Sequence, residues 1–181
     1  MLSKPVIFLA LGLMSFTACE NDIEKIKLIT GKNNLPVETA GELTVLYSDS
    51  AKLKVRMTAK EMQRFSGEQP RTLMNKGIKV VFFDQDKNTS TTLTAGRGIR
   101  YEGKQTMEAY ENVVVINSKN EKLNTEHLVW DEKSAKIFSD NFVKITTKDQ
   151  IIFGNGFESN QDFTKYKIYK IRGTISLKKP H

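Results

Sequence analysis

The stretch KLKVRMTA, residues 52–59, sets Leu53, Val55, Met57 and Ala59 in strict alternation with Lys52, Lys54, Arg56 and Thr58. A side-chain period of two belongs to a strand. One apolar face opposite one charged face belongs to an antiparallel sheet that buries a single side. Downstream, GIKVVFFDQDKNTSTTLTA (77–95) reads as a strand, a polar turn at 84–88 and a return strand, which is a hairpin. β-branched and aromatic residues fill the runs, and Gly, Asn, Asp and Lys mark the turns. Only AKEMQRFSGEQPRTL (59–73) accommodates a helical turn or a long loop, and Pro70 argues against a helix running through it. The expected fold class is all-β, built from antiparallel strands.

A degenerate repeat occupies the second half. YEGKQTMEAYENVVVI (101–116) and WDEKSAKIFSDNFVKI (130–145) align at an offset of twenty-nine residues, with Lys104/Lys133, Asn112/Asn141, Val114/Val143 and Ile116/Ile145 identical. A weaker echo begins at Ile152, which matches Leu123, with Phe157 matching Leu128. Each unit reads as strand, tight turn, strand, so a hairpin stacked on its own copies builds one continuous apolar lining. Alternation in this register puts Ile99, Tyr101, Val114, Ile116, Leu128, Trp130, Val143 and Ile145 on the inner face. Val55, Met57, Val80 and Phe82 join them from the first half. The assignment depends on register, because a slip of one residue turns every side chain to the opposite face.

The chain begins as a secretory leader does: Lys4, the apolar run PVIFLALGLM, then Thr17 and Ala18 before Cys19. The apolar stretch 5–18 falls short of the roughly 20 residues a spanning helix needs. Cys19 is the only cysteine, so no intrachain disulfide forms, and FTAC resembles a bacterial lipobox with Phe16 where Leu is usual. The expected organisation is a signal peptide over 1–18, a lipid anchor at Cys19 with a polar tether over 19–42, and a β domain over 43–177. Acyl chains on Cys19 would hold the domain at a membrane. The formal net charge is +7, one less without Lys4. The basic residues are scattered, gathering loosely at Lys165, Lys167, Lys170, Arg172, Lys178 and Lys179. No nucleic-acid module accompanies them, so nucleic acid is not an expected partner.

Catalytic chemistry has little to work with. The two histidines are His127, on the outer face by alternation, and the terminal His181. A histidine-based triad would need a nucleophile and an acid converging on His127. DQDKN at 84–88 opens like a calcium loop, but Thr89 and Ala95 stand where such a loop needs Gly and Glu. The glycine pairs Gly96/Gly98 and Gly154/Gly156 lack the third glycine and helix of a dinucleotide site and mark bulges or tight bends instead. Glu108 and Glu111 show no aromatic cleft signature around them. Neither an enzyme nor a cofactor or metal is expected.

The run from Tyr47 to Gly173 resembles the LptC family, the periplasmic component of the lipopolysaccharide (LPS) export ABC transporter, in the lipoprotein form of the Bacteroidetes lineage. The matching pieces are YSDSAKLKVRMTA (47–59), GIKVVFFD (77–84), TLTAGRGIRY (92–101), LNTEHLVWDEKSAKIFSDNFVKI (123–145) and GNGFESNQDFTKYKIYKIRG (154–173). The resemblance implies a twisted, open β-jellyroll of the OstA-like kind, without ATPase activity of its own. It implies that LPS passes along the trough with its acyl chains against the inner residues named above. The implied partners are the permease subunits of the transporter, at the strand near 43–47, and an LptA-like bridge protein, at the strand near 167–177. Both contacts would be edge-strand pairings, with lipid A phosphates near the C-terminal basic residues. The implied location is the periplasmic face of the inner membrane, and the leader replaces the transmembrane helix many family members carry. The competing reading from another class is a lipoprotein with a closed β-sandwich, a structural or surface-binding module that needs the same inward residues.

Overall fold

Alternation this regular leaves little room for anything but strands, and eleven of them form in the computed structural model, which describes residues 35–161 and 163–177. They are β1 (Glu38–Asp49), β2 (Lys52–Phe65), β3 (Arg71–Phe83), β4 (Thr89–Ala95), β5 (Arg97–Tyr101) and β6 (Thr106–Asn117). After these come β7 (Lys122–Asp131), β8 (Lys136–Thr146), β9 (Gln150–Asn160), β10 (Tyr166–Ile168) and β11 (Ile171–Ser176). All belong to one antiparallel sheet in the order β1-β2-β3-β4-β6-β7-β8-β9-β10, with β5 between β3 and β6, and β11 on β9. The all-β, antiparallel, jellyroll-like class expected from the sequence is what forms. No helix occurs among the described residues; the stretch 59–73 is simply the end of β2, a short turn, and the start of β3. β1 begins at Glu38, inside the segment expected to be tether.

The sheet is folded along a line that crosses its strands near their middles. Register shifts occur at Ala59/Glu61 in β2, Tyr110/Val113 in β6, Thr125/Val129 in β7 and Ser139/Phe142 in β8. Lys76 and Gly77 in β3, Glu111 and Asn112 in β6, and Gly156 in β9 have positive φ. Each extra residue bends its strand and raises its local twist, and aligned bulges turn a flat sheet into two facing leaves. β4 and β5 are one strand broken at this line by Gly96. A Cβ there would lie 2.7 Å from Glu111 Oε2 and 2.9 Å from Glu111 Cβ, so the close approach admits only glycine. The glycine pairs thus fall at bends, as their spacing suggested.

The leaves pack on each other through their inner faces. Val113 and Val143, flanking the fold line, are wholly inaccessible, and Val80, Phe82, Leu93, Leu128, Ile137 and Ile145 are buried with them. Phe82 of the first leaf meets Trp130 of the second edge to face, with ring centroids 6.2 Å apart. Burying such side chains contributes ~1.5–3 kcal/mol each, which is what holds the leaves together.

β6 is where the sequence-derived register and the structure part. The buried pairs are Met107/Ile137, Ala109/Ser139, Val113/Val143 and Val115/Ile145, each thirty residues apart. Val114 and Ile116 therefore face outward, Ile116 with 41% of its surface exposed. Ile99 and Tyr101 also lie on the outer face, opposite Leu73 and Arg71, while Gly98 and Arg100 hold the inner positions of β5. Between β7 and β9 the offset does return to twenty-nine, as Leu123/Ile152 and Leu128/Phe157 show. The cause is the connections: four residues (118–121) join β6 to β7, and three (147–149) join β8 to β9. The identities at twenty-nine run from β6 to β8, across the longer connection, where the structural spacing is thirty, so they turn the wrong face of β6 inward.

Candidate functional site

Cross-strand register lays the inner side chains in rows. On the first leaf one row runs Val45, Met57, Val80, Leu93, Val115, Leu123, Ile145, Ile152 and Thr174, from β1 to β11. Eight of its nine members are aliphatic. At about 4.8 Å between strands the row is roughly 40 Å long. Each strand in it contributes one residue, and in β2, β3, β4 and β6 the alternation of inward and outward positions puts Met57, Val80, Leu93 and Val115 on the inner face.

The facing row on the second leaf has a different chemistry. It runs Thr72, Arg100, Met107, Trp130, Ile137, Ser159 and Tyr166. This row lies toward the strand ends, where the turns form a lip. The lip is charged: Arg100 makes a two-pronged ion pair with Glu132, Nε to Oε1 at 2.9 Å and Nη2 to Oε2 at 3.1 Å. Arg64 Nε lies 3.4 Å from Glu102 Oε1 beside it. Glu132 holds the Arg100 guanidinium still more firmly protonated.

Between the leaves is a narrow apolar slot with free space of only about 20 Å³, lined by Val80, Phe82, Leu93, Met107, Ala109, Leu128, Trp130 and Ile137. A second, of similar free space, lies among Val115, Leu123, Ile145, Phe157, Phe163 and Tyr166. Of the residues expected to line the interior, Val55, Met57, Val80, Phe82, Leu128, Trp130, Val143 and Ile145 are on the inner face, whereas Ile99, Tyr101, Val114 and Ile116 are not. Cys19 lies outside the described residues.

Both margins of the sheet expose apolar side chains. Leu46 and Tyr47 on β1, and Ile171, Ile175 and Leu177 at β11, are each about half exposed or more. Among the C-terminal basic residues, Lys165, Lys167, Lys170 and Arg172 are exposed, and Lys178 and Lys179 lie outside the described residues.

On the outer face one cluster escaped the sequence reading. Tyr110 donates its hydroxyl to the Glu108 carboxylate, His127 Nε2 lies 2.8 Å from Glu108 Oε2, and the Tyr110 and His127 rings stack at 4.4 Å. Arg97 sits 4.9 Å above the Tyr110 ring. Burial, and then the bond to Glu108, push the Tyr110 phenol up to about 12. Glu108 does have aromatic company, contrary to expectation, and register across β5, β6 and β7 was the signal needed to see it. The cluster lies on the outer face beside the fold line, next to the register shift between Tyr110 and Val113. Among the described residues no group of His, Cys, Asp and Glu is placed to hold a metal.

Fold and site together define a jellyroll-like β module with an apolar interior running from margin to margin. The family model for LptC, described as lipopolysaccharide-assembly, LptC-related, matches residues 6–176, and the chain belongs to this family. Membership implies a role in LPS transport, with LPS and the Lpt transport complex as partners. The family is a transport component, periplasmic and associated with the inner membrane, and is not a known enzyme family. Among curated proteins none matches the sequence.

Proposed function

We propose that the chain receives LPS from the permease subunits of the inner-membrane ABC transporter and passes it along its interior to an LptA-like bridge protein. The acyl chains lie against the first-leaf row, and Cys19 carries the lipid that holds the domain at the periplasmic face of the inner membrane. The observation that carries this reading is the row itself. An enzyme pocket is local, but this apolar track reaches both sheet margins, so a chain entering at one strand has hydrocarbon beside it through to the other. Transfer between apolar walls costs little, because each methylene gains ~0.8 kcal/mol wherever it is buried.

The margins supply the contacts. β1 offers its free edge to the transporter, and β11 offers its own to the bridge protein, each by main-chain pairing with apolar side chains alongside. A closed-module reading is favoured by one observation, the dense packing of the interior by the protein's own side chains.

Photocrosslinking in cells separates the two. A photoreactive phenylalanine replaces Met57, half-buried on the inner face, or Arg56, exposed on the outer face. The conduit gives an LPS adduct at 57 and none at 56. A folded, membrane-bound protein with no adduct at 57 leaves the closed module.

A further inference from the structure

We infer that Trp130 positions acyl chains in the interior, its indole N–H donating to the carbonyl that links a chain to its headgroup. This rests on the conduit reading and adds the linkage chemistry that the conduit selects. Trp130 forms part of the wall of the slot it shares with Phe82 and Leu128, and its Nε1 is buried with no hydrogen-bond partner. The side chains of the other walls, among them Val80, Phe82, Leu93 and Leu128, offer no oxygen or nitrogen acceptor, and the Met107 thioether is a weak one. A buried donor without a partner is costly, and phenylalanine would line the same wall without that cost.

The donor's surroundings say what it takes. Water needs two or more polar partners, and this slot supplies one. A hydroxyl brings its own donor, which would be left unpaired here. A carbonyl is acceptor only and the indole is donor only, so the pair is complete with a single bond.

The order of polarity along the second leaf matches the same ligand. Leu128 is deep and buried, Trp130 is two residues nearer the lip, and Glu132 on the lip pairs with Arg100. Hydrocarbon, one donor, then charge is the sequence presented by an ester- or amide-linked acyl chain with a polar head.

Trp130 is the only tryptophan, so the full chain labelled with ¹⁵N gives one indole resonance. It is titrated with methyl dodecanoate and with methyl dodecyl ether, which lacks the carbonyl. The expected result is a downfield indole proton shift with the ester alone and about fivefold tighter binding of the ester, the worth of one net hydrogen bond. Trp130→Phe should bind both probes equally. Equal binding of ester and ether by the unaltered chain, with the indole proton unmoved, overturns the role of Trp130 and leaves the conduit standing. Binding of neither probe removes the conduit reading itself, and this inference with it.

Discussion

Neighbouring valines in β6 allow the register to be tested by stability alone. Val113 is wholly inaccessible between the leaves, and Val114 points outward, half-buried. Val113→Ala removes two buried methyl groups at ~0.8 kcal/mol or more each and leaves a cavity that the two leaves cannot fully close, so it costs about 2 kcal/mol. Val114→Ala loses the same β-propensity in the same strand but little burial, so it costs about 0.5 kcal/mol. Urea unfolding, followed by the fluorescence of Trp130, reads the difference. With m near ~2 kcal/mol/M, Val113→Ala lowers the midpoint by about 1 M and Val114→Ala by about a quarter of that, m itself unchanged. Val115→Ala against Ile116→Ala repeats the contrast one pair further along. If Val114→Ala proves as costly as Val113→Ala, the thirty-residue spacing is wrong, and the twenty-nine-residue repeat sets the faces after all.

At the fold line, Gly96→Ala forces a methyl group into Glu111 and should cost about 1–3 kcal/mol in the same unfolding assay. Adding Glu111→Gly, at a residue whose φ is already positive, should restore most of it, a coupling that a double-mutant cycle measures. In an ultraviolet titration, one of the five tyrosines should stay protonated until near pH 12, and Glu108→Gln should bring it down. Because the folded state raises this phenol above its ordinary 10.0, its contribution to stability is complete below pH 10 and is lost as pH climbs through about 12. Proline in β11 at a position whose N–H points away from the sheet should abolish pull-down of the bridge partner while the unfolding midpoint holds; retained pull-down would exclude edge pairing there.

The strands of the first half were legible because alternation there is nearly uninterrupted. Val55, Met57, Val80 and Phe82 follow from period two within single runs, and no long-range register enters. The second half needed a decision between copies, and the identities favoured an offset that holds for β7 and β9 but not for β6 and β8. One missing residue in a three-residue connection lies behind this, and such a connection has no side-chain signature of its own. The bulge at Glu111 and Asn112 was equally silent, since neither residue type announces positive φ as glycine does. The Tyr110–Glu108–His127 cluster was invisible for another reason. His127 and Glu108 are nineteen residues apart, and only the β6–β7 register, shifted by that bulge, brings them together.

The ladder hydrogen bonds run within each leaf, and the leaves meet through side chains such as Phe82 and Trp130. The molecule is therefore built like a clasp whose spine is covalent and whose faces merely adhere. Under the proposed conduit function, parting the lips would trade one hydrocarbon contact for another as an acyl chain entered, and no backbone pair would need to break. Dense packing of the interior and passage of a lipid would then be two positions of the same hinge.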